Sequence, residues 1–398
     1  MQTVKQNYPM PLIAWAAGIH AVREGEKIVI SGCNPGPSES SEVEILGYSR
    51  GQSDTQPPHV QLANATSDEK LIEFVAQYGP VFADGLEVAG ERSFTVKGER
   101  RVELPDKPQN LIALQGLATL REERELMRTA IALIAELEKR DKANPFVAFL
   151  LGIRLSAALG TLQDQWERER KWLGERGLAG PFWRAQFLGA WPQITLPSLP
   201  PPADGEASAK QVRAGMEAAL RTPAALRNLL VGDGAASFVD ARVIGLFGAG
   251  GIVGLLQSSE VSRIAEEVLQ KFSQQNPSAA GRLLPLLLGW AKSALCDLLN
   301  AFPPILSLSG GLPSETPPMP LLFGVRPALY FLLRRDYLAQ GRIAICANAR
   351  CGKAFATQRL GQRYCDLDCS QRQRARVYWG RSGKQKRAER RQAAGKKG

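Results

Sequence analysis

Apolar and polar positions follow two different periods along this chain. Between residues 22 and 104 the period is two: segments 27–30, 42–45, 59–62, 86–88, 93–96 and 101–104 alternate like half-buried strands. Gly90 and Gly98 open the breaks between the last three, where a glycine can turn the backbone. One helical interruption is predicted over 67–78. It carries Leu71, Ile72, Phe74 and Val75 on one side, with Ser67 as its cap.

From Pro108 to Arg140 the period lengthens. Leu111, Leu114, Leu117, Leu120, Met127, Ile131, Ile134 and Leu137 recur at intervals that suit a helix, with a charged gap over residues 121–125. The acidic pair Glu122 and Glu123 in that gap reads as a solvated face. Pro145 is placed to start a second helix, which Phe149, Ile153, Leu162 and Trp166 continue. Five prolines between Trp191 and Gly205 then break the pattern. Helical periodicity resumes from about Ala207 and runs, with breaks, to Phe302. A loop rich in Pro, Ser and Gly over 303–320 precedes a last helix over 325–338. The expected class is α+β, ordered as an α+β region at 1–104, a helical region at 105–190, a Pro-rich linker or loop at 191–206, a second helical region at 207–339, a small metal-binding module at 340–382 and a basic disordered tail at 383–398.

The module at 340–382 is defined by cysteines. Cys346 and Cys351 form one close pair, Cys365 and Cys369 a second, and 13 residues separate them. Two thiolates from each of two tight turns suit a tetrahedral ion with no open position, which is the pattern of structural Zn²⁺. Disulfides or a redox dithiol would also use paired cysteines, but six cysteines in 398 residues do not make a disulfide scaffold. Cys33 and Cys296 stand alone and read as buried or spare thiols. Residues 353–355 and 363–365 look like two short strands joined by a turn over 358–361, with Gly361 free to take a positive φ. Asp366 or Asp368 is placed to cap a helix whose first turn holds Cys369. Knuckle, hairpin and helix in that order form the layout of a treble-clef zinc finger.

The run Cys346-x4-Cys351-Gly-Lys-Ala-Phe355, then Arg363-Tyr-Cys365-x3-Cys369, then an arginine-rich helix, resembles the CGNR-type zinc fingers of bacterial transcription regulators. The resemblance covers about residues 340–380. It implies zinc as the cofactor and DNA, ahead of RNA, as the partner.

Charge sharpens this picture. The chain carries 50 Lys and Arg against 39 Asp and Glu, a net of +11. Residues 341–398 hold 16 of the basic residues and only three acids, so that end is +13 and the remaining 340 residues are −2. A strongly basic end on a near-neutral body suits nucleic acid or an acidic membrane surface, or a solvated tail. Arg372, Arg374 and Arg376 on the helix after Cys369, with Arg381 and Lys384 beyond it, are the candidate nucleic-acid contacts. Arg372 and Arg376 share a face and Arg374 points elsewhere, which suits backbone contacts better than one base-reading row. The arginines could instead only offset the negative charge that four thiolates leave on a divalent ion. The near-neutral remainder is expected to fold without the finger.

Hydrophobic content of 44% is ordinary for a globular protein. The longest uninterrupted apolar run, 243–256, has 14 residues and is too short to span a bilayer. Residues 9–19 after Lys5 hold two prolines and make a poor signal peptide, and thiolate ligands favour the reducing cytoplasm. No catalytic residue is expected. Gly47-x-Ser49-x-Gly51 has the spacing of a nucleophile elbow, but Pro57 and Pro58 follow too soon for the helix an elbow needs. The glycines from Gly248 to Gly254 suggest a dinucleotide turn, yet a helical pattern over 258–272 stands where a second strand would be required. His20 and His59 are the only histidines and lie far from the cysteines. These features point to a nucleic-acid-binding zinc protein that is not an enzyme. The alternative is a protein-interaction adaptor, bound through the helical body, whose finger is purely structural.

Overall fold

The structure, a computed structural model, describes residues 19–33, 56–82, 84–89, 91–103, 110–175, 203–206, 249–250, 259–275, 277–300, 305–309, 312–316, 324–339, 343–348, 351–357, 361–376 and 378–379. The expected strand at 42–45, the serine motif around Ser49, most of the glycine run at 248–254, the linker up to residue 202, the start of the second helical region at 207–248 and the basic tail lie outside them. Among the described residues, no helix is long and apolar enough to cross a membrane.

Helix and sheet are mixed, as the class α+β requires. Strand β1 (His20–Glu24) turns through Gly25 into β2 (Lys27–Cys33), and Gly25 takes the positive φ of 62° that such a turn demands. Past β3 (Leu86–Val88) and the separate hairpin of β4 (Arg92–Val96) with β5 (Glu99–Glu103), β6 (Asn110–Gly116) returns to the centre of an antiparallel sheet of order β1-β2-β6-β3. Residues 110–116 had been expected to begin a helix. The uninterrupted apolar run 111–114 fits either element, and pairing to β2 on one side and β3 on the other decides for strand. The helix α3 (Leu117–Leu137) begins only after β6 ends.

A second correction falls at 59–62, expected to be a strand. Pro58 occupies the first turn of a short helix, α1 (Pro58–Ala63), and nearly all of it is buried. Pro is preset for a helix start and cannot donate to a sheet, so Pro57 and Pro58 outweigh the alternation of four residues. The next helix, α2 (Asp68–Tyr78), matches its expectation, and Ser67 Oγ accepts the cap hydrogen bond from Lys70 N at 3.4 Å.

Four further helices follow before the cysteine module: α4 (Pro145–Glu175), α5 (Ser259–Gln275), α6 (Pro277–Asn300) and α7 (Arg326–Leu338). Phe149, Ile153, Leu162 and Trp166 are buried along α4 as their spacing predicts, and α4 packs against both α3 and α6. Two short strands, β7 (Ala203–Glu206) at the end of the expected linker and β8 (Ala249–Gly250) inside the expected helical region, pair in parallel. The loop expected over 303–320 contains a hairpin of β9 (Ile305–Ser309) with β10 (Leu312–Thr316), and the sequence between its strands is Gly310-Gly311, a strong turn pair.

The position of α7 matters most, because it leads directly into the cysteine module. Its first amides are bonded to the sheet side of the molecule: Val325 N donates to Pro80 O at 2.9 Å and Arg326 N to Val81 O at 3.2 Å. Gln115 on β6 holds the same segment, accepting from Val81 N at 3.0 Å and donating to Phe82 O at 2.8 Å. Arg326 itself is fully buried. Its guanidinium lies 4.5 Å from the Trp166 ring centroid and 5.1 Å from that of Phe82, and it pairs with Glu169 of α4. One turn later, Tyr330 donates to Glu123 Oε1 at 2.7 Å. Glu123 is therefore buried, not solvated. Burial pushes its carboxyl up, against the pull of Arg326, and burial lowers Arg326 to about 10, which leaves it charged at neutral pH.

Removing the cation from this network strands two buried acids. Arg326→Ala should cost about 3–5 kcal/mol in denaturant unfolding, the usual penalty for breaking a buried pair from one side. A loss below about 1 kcal/mol would show that the guanidinium does not anchor α7.

Candidate metal centre

The chain leaves α7 and forms a hairpin of β11 (Ile343–Ile345) with β12 (Ala354–Ala356). The expected hairpin, 353–355 with 363–365, is corrected here. Residues 354–356 pair backwards onto 343–345, so the first cysteine pair forms the loop of the hairpin and does not precede it. Three residues per strand suffice because the two faces of the hairpin enter different cores. Ile343 and Ala354 belong to the main apolar core, with Ile345 packed against it. Phe355 and the partly buried Ala344 turn the other way and pack with Cys346 and Cys369.

The knuckle is closed by backbone bonds. Cys346 N donates to Lys353 O at 2.8 Å, and Cys351 N and Gly352 N both donate to Asn348 O, at 2.8 and 3.2 Å. Gly352 needs its φ of 55° for this turn; a Cβ there would meet nothing, so the requirement is conformational. Ala347 N reaches across to Arg363 O at 2.8 Å and ties the knuckle to the segment bearing the second pair. Gly361 takes the positive φ expected of it, 78°. Asp366 is the cap: Cys369 N donates to its Oδ1 at 2.6 Å, and the helix at 367–376, α8, follows with Cys369 in its first turn.

The four sulfurs Cys346, Cys351, Cys365 and Cys369 all lie within 4.8 Å of one another and could hold a metal ion. Cys351 Sγ and Cys365 Sγ are 3.7 Å apart. A disulfide needs about 2.05 Å. A tetrahedron with metal–sulfur bonds of about 2.3 Å has edges of about 3.8 Å. The Cys351–Cys365 distance is too long for a disulfide and matches such an edge. Burial pushes the Cys369 thiol up to about 11, and burial with the Asp366 carboxylate pushes Cys365 further. Cys351 is held low: burial raises it, but the Lys353 N–H and the neighbouring thiols outweigh that. A cluster of thiols can share little negative charge unaided, whereas a divalent cation allows all four to ionise.

Two carboxamides that no cysteine spacing could signal attach this centre to the rest. Asn64, the residue that ends α1, donates Nδ2 to Ala354 O at 2.7 Å and accepts at Oδ1 from Ala354 N at 3.0 Å. Gln56 Oε1 accepts from Ala356 N at 2.9 Å. The two side chains serve the outer edge of β12 as a neighbouring strand would. His59 continues the chain of contacts, its Nε2 lying 3.1 Å from Asp336 Oδ2 and linking α1 to α7. A polar cleft of about 500 Å³ remains between the hairpin and α1–α2, with Gln61, Lys70, Glu73, Phe74 and Asp366 in its walls. Asn348 is the third such residue. Buried inside the knuckle, it accepts at Oδ1 from Arg376 Nη1 at 3.3 Å.

The candidate arginines therefore differ. Arg376 is half-buried and engaged by Asn348 and by Gln373 Oε1 at 3.2 Å. Arg372 and Arg374 are exposed, and Arg372 has Asp368 at 3.9 Å, between two largely exposed side chains. Arg381 and Lys384 lie outside the described residues. Cys296 is exposed on α6 and takes no part.

Asn64→Ala removes both bonds to Ala354 and should lower stability by about 2 kcal/mol in denaturant unfolding. It should also speed metal loss to a chelator, although residue 64 touches no cysteine. An unchanged release rate would separate the clamp from the metal site.

Comparison with family models, with curated proteins and with solved structures finds no match to this chain, so the centre is read from its own geometry.

Proposed function

We propose that the chain is a zinc-dependent nucleic-acid-binding protein, acting as a transcription regulator, in which α8 and the basic segment after it contact phosphate. Zinc fits best because four thiolates with no open position suit a closed structural site, which also gives the reading no catalytic role for the ion and assigns the chain no reaction. The observation that carries the reading is the presentation of Arg372 and Arg374. They stand exposed on a helix whose first turn contributes a cysteine to the metal cluster, at the head of the chain's basic end. A fixed helix start and freely reaching guanidinium groups suit phosphate, which is bound by charge and position and not by sequence. DNA is the expected ligand ahead of RNA, following the resemblance of residues 340–380.

A second reading has its own support. The hairpin is built into the main core through Ile343 and Ala354, as a purely structural finger would be. The outer face of the sheet carries exposed Val22, Ile112 and Leu114, which a protein partner could cover. Salt separates the two readings, since phosphate binding weakens steeply with salt and apolar contact does not.

One zinc per chain is expected on metal analysis of purified protein, and Cys365→Ser should lose most of it. Equal zinc in the two would remove the assignment. Replacing Arg372 and Arg374 together by Ala should lower the slope of log affinity against log salt on duplex DNA by about 2, with zinc retained. If the wild type binds neither DNA nor RNA at low salt, the adaptor reading stands in its place.

A further inference from the structure

Resting on the nucleic-acid reading above, we propose that the α8 surface takes single-stranded nucleic acid, with Tyr378 and Trp379 as stacking platforms for unpaired bases. Both side chains stand in solvent at the end of the arginine helix, Tyr378 66% and Trp379 65% exposed. Their rings meet edge to face with centroids 5.6 Å apart. Two adjacent aromatics held largely in water contribute little to the core, whereas Cys369, on the side of the helix opposite Tyr378, is buried.

Helical spacing sets each aromatic beside an arginine. Tyr378 is four residues after Arg374, on the line that also carries Gln371 and Leu367. Trp379 is seven after Arg372, on a neighbouring line. Each exposed guanidinium therefore precedes an exposed ring along the helix by about one or two turns. A phosphate on the arginine leaves the attached nucleotide's base within reach of the ring. In a duplex the base faces are already stacked, and only edges and phosphates are offered. Unpaired bases present their faces, and every base has one, so stacking on aromatic side chains favours single strands with little dependence on sequence.

The same residue types would also suit an anionic membrane surface. A helix lying in that interface needs a continuous apolar stripe. Here the line between Leu367 and Tyr378 carries Gln371 and Arg374, which breaks the stripe with an amide and a charge. The order of residues thus favours an ordered polyanion with bases over a lipid headgroup layer.

The test uses the full-length, zinc-loaded chain and one fluorescent oligonucleotide of mixed sequence, offered as a single strand or annealed to its complement. Anisotropy is read across a salt series, with vesicles of phosphatidylserine and phosphatidylcholine as a third ligand. The single strand should bind about tenfold more tightly than the duplex, and Trp379→Ala should lose about tenfold on the single strand and clearly less on the duplex. Trp379→Phe should restore most of the loss, while zinc content and the thermal transition stay at the wild-type level in both variants. Duplex preference, or equal losses on both ligands, overturns the stacking proposal and leaves phosphate binding intact. Binding to vesicles that depends on Trp379, with weak binding to either nucleic acid, overturns it in favour of a membrane surface. Absence of binding to both nucleic acids at low salt removes the underlying reading, and this proposal with it.

Discussion

Asn64 commits its whole carboxamide to a single residue 290 positions away. Both the donor and the acceptor of Ala354 are met, which is what a paired strand would do for that residue. The cysteine hairpin has only three residues in each strand and could not hold its place alone. With Asn64 and Gln56 along one edge, β11 along the other and the main core beneath, β12 has a fixed position. The knuckle, and through Ala347 and Asn348 the second half of the metal site, take their positions from it. The geometry around the sulfurs thus depends on a short helix at residues 58–63, which depends in turn on two prolines at its start.

The buried network around Arg326 plays the matching part on the other side. Polar groups removed from water are costly unless bonded, and here a cation, two carboxylates and a phenol are placed among Trp166 and Phe82. Such networks tolerate few alternative arrangements, so they define an orientation more than they add stability. α7 enters the core in one rotation and one depth. The hairpin that follows it inherits both.

The sequence made some of this readable and hid the rest for physical reasons. The four cysteines were legible because metal ligation demands close pairs. Ser67, Pro145 and Gly361 were legible because caps, helix starts and positive φ each select few residue types. Segment 110–116 contains four consecutive apolar residues, 111–114, which suit a helix as well as a strand, and only partners on both sides distinguish them. Segment 59–62 was misread because alternation over four residues is weaker than the two prolines before it. Glu123 looked solvated because nothing local shows that Arg326 and Tyr330 come to meet it from some 200 residues further on. Asn64 carried no signal at all, since an asparagine ending a helix is ordinary until the edge strand it serves is known. The hairpin register was missed because its first strand, 343–345, lies ahead of the cysteines and contains only three residues.

The two-faced hairpin also bears on modularity. Small metal-binding modules are commonly regarded as interchangeable beads that a chain can carry or lack whole. In this chain the boundary of the bead runs through the middle of a strand: Ala354 faces one core and Phe355 the other. A transplant of residues 340–380 onto a foreign protein would carry the sulfurs and leave behind Asn64, Gln56 and the apolar bed under Ile343. A host could receive it only by already owning an equivalent bed and edge. The cysteine hairpin and the α1 corner that seats it therefore form one structural unit, although 290 residues separate Asn64 from Ala354.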